Sequence, residues 1–242
     1  MRFLKNSPVN KPRTIKFLEH SISFARRDDF LHSLKEIFIE DIYYQRLGAN
    51  PFIIDCGANI GLSVIYLKRL FPGAKIIAFE PDEENFRLLK KNIESFGFDN
   101  VEINKEAIWI EDTQLNFSNT GTLGSKVEDT ASNSSQLVKA RRLKDMLQQR
   151  VDFLKLDIEG AEYAVLKDAG ENLRNAENIF IEYHGTFEQT RELTEIFELL
   201  TKTGFQYYIK EAAHIHPTPF LRGKGNPFDV QLNIFCFKPI IG

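Results

Sequence analysis

Two periods of apolar positions take turns along the chain. Short apolar runs that end in turn residues are followed by stretches whose apolar positions fall three and four apart, the signatures of strands and helices. Phe52–Cys56 reads as a strand, and Leu62 to Phe71 as a helix carrying Leu62, Ile65, Tyr66 and Leu70 on one face. Pro72-Gly73 turns the chain into a strand over Lys75–Phe79. Asp82 then caps a helix from Glu83 to Phe96, with Phe86, Leu88, Leu89 and Ile93 inward and Gly97 closing it. Val101–Asn104 is a third strand and Gln114–Phe117 a short extra one; a polar loop from Asn119 to Gln136 follows, then a strand at Leu137–Ala140 and a short helix at Leu143–Leu147. Asp152 to Leu156 and Asn178–Tyr183 are further strands, each followed by a helix, over Ala161–Lys167 and Phe187 to Thr203. Phe205–Lys210 and Val230–Phe237 close the set, joined by a long connection over 211–229. Before all of these, Phe30, Leu31, Leu34, Ile37, Phe38 and Ile42 are spaced for an amphipathic helix, with Tyr43 and Tyr44 beyond. Strands alternating with helices predict an open α/β sheet covered on both faces. Residues 50–242 form the expected domain, and residues 1–49 an expected helical cap that is either scaffold or a wall of the substrate cleft.

Composition narrows the class. The chain has 242 residues, 43% hydrophobic and 27% charged, with a formal net charge of −3. No global basic surface argues for nucleic acid. Phe is abundant, at 21 residues, and most of these are expected in the core. Cys56 and Cys236 lie in strand-like runs, make neither a disulfide framework nor a zinc spacing, and read as buried thiols in a reducing compartment. Met1 to His20 lacks an apolar secretory core, and no apolar run approaches the ~18 residues needed to cross a bilayer. The cytoplasm is the expected location, without membrane insertion; the oligomeric state is left open.

The chemistry concentrates at strand exits. Asp55, Gly57, Asn59 and Gly61 form a D-x-G-x-N-x-G turn between the first sheet strand and its helix. Glycine there lets a ligand approach bare backbone. The turn lacks the third glycine of a dinucleotide fingerprint, and its acid repels a pyrophosphate but attracts an ammonium, directly or through water. A ligand with adenosine at one end and a cationic amino acid at the other is S-adenosylmethionine. Glu80, at the tip of the next strand, is placed to accept hydrogen bonds from a ribose diol. Glu106 and Ala107, after the third strand, are the candidates for the adenine.

A second centre is Lys155-Leu156-Asp157-Ile158-Glu159-Gly160-Ala161-Glu162. Period-two alternation sends Lys155, Asp157 and Glu159 to one side. Three acids at the end of an otherwise apolar strand point to a ligand crevice, since the carboxyl ends of strands face it in an open α/β sheet. Glu162 fits equally well as a solvated acid at a helix N-terminus. Glu182 and His184 share a side at the exit of the following strand. Asp157, Glu159 and His184 are the candidates for catalysis, and Asp157 is also a candidate contact for the cofactor. Asp157, Glu182 and His184 are the candidates for a metal, and a set of carboxylates and one imidazole suits Mg²⁺ or Mn²⁺ better than zinc. Lys155 either steadies the carboxylates or is structural. The connection over 211–229 brings His214, His216, Arg222 and Lys224, the histidines expected as plain loop residues and the cations as possible contacts for an acidic substrate. The 119–136 loop either binds substrate or is simply mobile.

Taken together, D-x-G-A-N-x-G at 55–61, F-E-P at 79–81 with Asn85 and Leu89, K-x-D-x-E-G-A-E at 155–162 and I-E-x-H at 181–184 resemble the FkbM family of S-adenosylmethionine-dependent methyltransferases. The resemblance covers roughly residues 50 to 205. It implies a Rossmann-like class I methyltransferase fold, a seven-stranded mostly parallel sheet with the last strand antiparallel. It also implies O-methylation of a sugar, glycan or polyketide-like small-molecule hydroxyl. The family's usual T-L-D-x-L before the fourth sheet strand is replaced by Arg142-Leu143-Lys144-Asp145-Met146-Leu147, so Lys144 stands where an acid is usual. An NAD-dependent oxidoreductase and a non-catalytic module holding the same cofactor are the competing classes. The first lacks its G-x-G-x-x-G; the second fits poorly with intact Asp157, Glu159 and His184.

Overall fold

The computed structural model describes residues 10–118, 135–221 and 227–239. It corrects the expected all-helical cap. The chain opens with a hairpin, β1 (Asn10–Phe17) and β2 (His20–Arg26), and only then enters helix α1 (Arg27–Phe38). Leu18 and Glu19, at φ 50° and 66°, make the two-residue turn whose twist suits a hairpin. Asn92 ties β2 down: its Oδ1 accepts from Ser23 N–H at 2.7 Å and its Nδ2 donates to the Ser23 and Ile60 carbonyls. Short strands around isolated polar residues give a weak periodic signal, which is why the hairpin is illegible beside the strong helical period that follows it.

The remaining elements follow the expected order. They are β3 (Phe52–Cys56), α2 (Leu62–Leu70), β4 (Lys75–Phe79), α3 (Glu83–Phe96) and β5 (Val101–Asn104), then β6 (Glu106–Trp109), β7 (Thr113–Ser118) and β8 (Ser135–Arg142). After α4 (Leu143–Met146) come β9 (Val151–Leu156), α5 (Glu162–Ala169), β10 (Ala176–Gly185), α6 (Thr190–Lys202), β11 (Gln206–Glu211) and β12 (Val230–Phe237). The main sheet has seven strands in the order β11-β12-β10-β9-β3-β4-β5, with β12 antiparallel to both neighbours and the other pairs parallel. β6, β8 and β7 form a separate three-stranded sheet, so Glu106 and Ala107 belong to a strand rather than a loose exit.

The strand order switches at β3, with β4 and β5 laid down on one side of it and the parallel β9 and β10 on the other, which places the ligand crevice at the carboxyl ends of β3 and β9. One sheet face buries Ile53, Phe153 and Phe180 against the hairpin, α1, α2 and α3. The other buries Ile54, Leu154, Leu156, Ile179 and Ile181 with α4, α5 and α6. The N-terminal segment therefore shares one continuous core with the sheet. Among the described residues no helix is long and apolar enough to cross a membrane.

Candidate active site

The Gly-rich turn and the acidic strand exit are built as one object. Asp157 N–H donates to the Cys56 carbonyl at 3.1 Å, extending the β3–β9 ladder past its last residues. Gly57 lies at φ +86°, and a Cβ there would sit 1.8 Å from the Asp157 carbonyl oxygen. Gly57 and Ala58 N–H both donate to the Phe79 carbonyl, which locks the turn to the exit of β4. Gly61, at φ +92°, begins α2 with no room for a Cβ beside Leu89.

Glu80 closes the turn from the other side. Its Oε2 accepts from Asn59 N–H at 2.7 Å and its Oε1 from Asp82 N–H at 3.0 Å. Burial pushes its carboxyl up to about 7, against the pull of those two backbone donors. The expected ribose acid thus sits at the turn. Glu106 is farther along the edge, and Arg141 engages its carboxylate through two hydrogen bonds of 2.7 and 3.2 Å.

Alternation brings the charged residues of β3, β9 and β10 onto the face of Ile53, Phe153 and Phe180. Lys155 is almost fully buried; its Nζ donates to the Gly57 carbonyl at 2.8 Å and to Asp157 Oδ2 at 3.1 Å, and lies 3.3 Å from Asp55 Oδ1. Burial works against its charge, but the carboxylates of Asp157 and Asp55 outweigh it and hold Lys155 well above the ordinary lysine range. Asp55 is fully buried, with Ser63 Oγ donating to its Oδ2 at 2.5 Å. Its charge meets Lys155 and not open solvent, so any pull on a ligand ammonium passes through that lysine. Asp157 keeps Oδ1 without a protein partner among the described residues.

Glu162 is the residue whose role was least legible. It is not a solvated helix-end acid: it is fully buried. Its Oε1 accepts from Ile158 N–H at 3.0 Å, both oxygens accept from Gly160 N–H, and Oε1 lies 3.4 Å from His184 Nδ1. It therefore shapes the Asp157–Glu162 loop, where Glu159 and Gly160 both have positive φ, and aims the imidazole. His184 is itself buried, with Nε2 3.6 Å from both Glu159 Oε2 and Glu182 Oε1. Burial opposes charge on His184, but the hydrogen bond and charge of Glu162, with Asp157 and Glu159, push it up to about 10. A ring that stays protonated at neutral pH is a poor base, which moves His184 from general base to a positioning role or to a ligand once deprotonated. Burial and the neighbouring Asp157 push Glu182 up to about 8. Burial likewise raises Glu159, whose side chain is half exposed.

The surroundings are built from segments outside the two motifs. Tyr43 packs edge-on against Phe180 at 5.0 Å and near Phe153 at 6.2 Å, directly below the charged row. Phe228 covers Gly160 and leans on His184, and Asp229 N–H donates to the Gly185 carbonyl. The connection after β11 thus folds back over the exit of β10. His216 stacks on Phe187 at 5.3 Å and His214 is exposed near Glu211. Arg222, Lys224 and residues 119–134 lie outside the described residues.

The fold and this crevice define a class I methyltransferase architecture. The chain matches the family described as the methyltransferase FkbM domain over residues 55–207, more than half its length. The chain belongs to the FkbM methyltransferase family. It is 31% identical over 210 residues to Methyltransferase sdnD of Sordaria araneosa, covering 71% of this chain and 80% of that protein. It is 29% identical over 198 residues to Methyltransferase 1 of Beauveria bassiana, covering 69% and 79%. Among solved structures, the FkbM methyltransferase from Methylobacillus flagellatus aligns with a TM-score of 0.53 at 16% identity, over 81% of this chain but only 45% of that one. The SAM-dependent methyltransferase from Agrobacterium tumefaciens aligns with a TM-score of 0.55 at 9% identity, over 97% and 72%. Methyl transfer replaces hydride transfer, so the NAD-dependent class is set aside.

Proposed function

We propose that this methyltransferase takes its methyl group from S-adenosylmethionine and delivers it to a hydroxyl of a sugar, glycan or other small natural-product acceptor. The observation that carries the reading is the contact between Gly57 and Asp157: the turn suited to the donor and the acid suited to the acceptor touch through their backbones. The turn from Gly57 through Asn59 to Gly61 lies beside the donor, Glu80 offers its carboxylate to the ribose, and the segment at Glu106-Ala107 offers an edge for the adenine. The acceptor lies toward Asp157, Glu159 and His184.

The sulfonium is already an activated electrophile, so the protein's task is alignment and proton removal. The acceptor O–H gives its proton to Asp157 Oδ1, held ready by Lys155 on Oδ2. The oxygen attacks the methyl carbon, the C–S bond breaks, and its electron pair stays on sulfur as S-adenosylhomocysteine. Glu159 stands beside this path as a second proton acceptor. Two buried free thiols, Cys56 and Cys236, fit a reducing compartment such as the cytoplasm.

Titration calorimetry with S-adenosylhomocysteine against NAD tests the donor. Binding of the former alone is expected; heat from NAD alone overturns the reading. A tritiated-methyl assay against hydroxylated and N-nucleophile acceptors tests the O-methyl step.

A further inference from the structure

We propose that Asp157, Glu182, His184 and Asn233 form a binding site for one divalent cation, Mg²⁺ or Mn²⁺, at the acceptor end of the crevice. One donor atom from each of Asp157, Glu182 and His184 lies within 4.8 Å of the others. That span is just above the ~4.2 Å separating opposite donors around an octahedral Mg²⁺. His184 presents Nε2 to this cluster because Glu162 and the Glu182 carbonyl occupy Nδ1. A carboxylate on the far nitrogen is the arrangement that orients metal-bound imidazoles.

Asn233 supplies the independent observation. It is 1% exposed, and among the described residues neither its Oδ1 nor its Nδ2 has a hydrogen-bond partner. It pairs with Glu182 across the antiparallel β10–β12 ladder, so the two side chains stand side by side on one face. A carboxamide left unpaired in an apolar strand carries a desolvation penalty that Leu would not. A hard cation beside Glu182 removes it, since carboxamide oxygens are ordinary ligands for such ions. The charge balance agrees: Asp55, Asp157, Glu159, Glu162 and Glu182 converge on one lysine and one imidazole. Asn233 lies outside residues 55–207, the span matched by the family.

The ion's role rests on the O-methyl reading. Bound there, it would hold the acceptor oxygen and ease loss of its proton. With the ion bound, Asp157 Oδ1 would be one of its ligands, and the proton would pass to Glu159, the second acceptor beside the path.

Binding is tested with Mn²⁺ alone, by electron paramagnetic resonance and calorimetry on the full chain, with thermal melts of the metal-free protein. One Mn²⁺ per chain is expected, competed by Mg²⁺. Asn233→Leu should weaken Mn²⁺ about 10- to 100-fold while leaving the metal-free Tm unchanged or higher. Asn233→Asp should retain the ion, and His184→Ala should lose it. Absence of Mn²⁺ binding at millimolar concentration overturns the proposal. So does wild-type affinity in Asn233→Leu, or a metal-free Tm several degrees lower in that variant, which marks Asn233 as structural. S-adenosylhomocysteine binding, measured on the same samples, reports separately on the donor site.

Discussion

Gly57 and Asp157 are in backbone contact: a single methyl group on Gly57 would overlap the Asp157 carbonyl oxygen at 1.8 Å. Gly57→Ala must therefore push β3 and β9 apart at their carboxyl ends, in addition to paying for a φ of +86° that costs a non-glycine residue ~1–2 kcal/mol. Thermal unfolding should show a loss above ~2 kcal/mol. Calorimetry should show S-adenosylhomocysteine affinity falling with it, because turn and exit move together. An alanine variant with wild-type stability and affinity would mean that the two segments are not joined as described.

Among the described residues, Lys155 is the one cation that holds Asp55 and Asp157 together in the buried row. Lys155→Met leaves two carboxylates facing each other with Asp55 fully buried. Breaking one side of a buried pair typically costs ~3–5 kcal/mol. Adding Asp55→Asn to Lys155→Met should restore a large part of that loss, since the uncompensated charge is then gone. Urea unfolding of the four proteins in a double-mutant cycle measures the coupling; additivity of the two changes would dismiss the pair.

Where the sequence carried strong periodicity or glycine punctuation, the fold was legible in it. The β3 turn and the β9 exit follow from local patterns that the tertiary structure reinforces, whereas the antiparallel β12 was expected from the family resemblance alone. Lys155 and Asp157 share a side, as alternation demands, and so do Glu182 and His184, while Glu159 reaches His184 from the loop after β9, at a positive φ. What stayed hidden depends on long-range packing. The hairpin around Ile22 and Phe24 is defined by contacts with Asn92, some seventy positions away. Glu162 looks like any helix-end acid until its burial is seen. Asn233 is one polar residue in an apolar strand, and only the β10–β12 register puts it beside Glu182. The alternation of that strand was a usable signal: an Asn between Leu232 and Ile234 on the face of Phe235 breaks a core pattern.

Removing the proton acceptor separates chemistry from donor binding. Asp157 holds Lys155 through Oδ2 and reaches the donor turn only through its backbone. Asp157→Asn preserves shape and loses basicity. Turnover should fall about 10²- to 10⁴-fold, the usual contribution of a positioned base. S-adenosylhomocysteine affinity should stay within about 3-fold, far below the ~1.4 kcal/mol of a tenfold change. Single-turnover rates beside calorimetric Kd values distinguish the two, and near-normal turnover takes Asp157 out of the mechanism.

The pH response of donor binding follows from Glu80. Burial raises its carboxyl to about 7, so its folded value lies above the unfolded one. Its contribution to stability is then fully present below ~4.3 and is lost as pH rises to about 7, by roughly 3 kcal/mol. Ribose hydroxyls favour the ionised form, because they donate to it. Ligand binding thus pulls the proton off Glu80, and S-adenosylhomocysteine affinity should climb between pH 6 and pH 8, by up to about tenfold. Glu80→Gln cannot ionise, so its affinity should be lower and flat across that window. Calorimetry at matched ionic strength in buffers of different protonation enthalpy reads both the slope and the released proton. A wild-type slope retained in Glu80→Gln would assign the titration to another group.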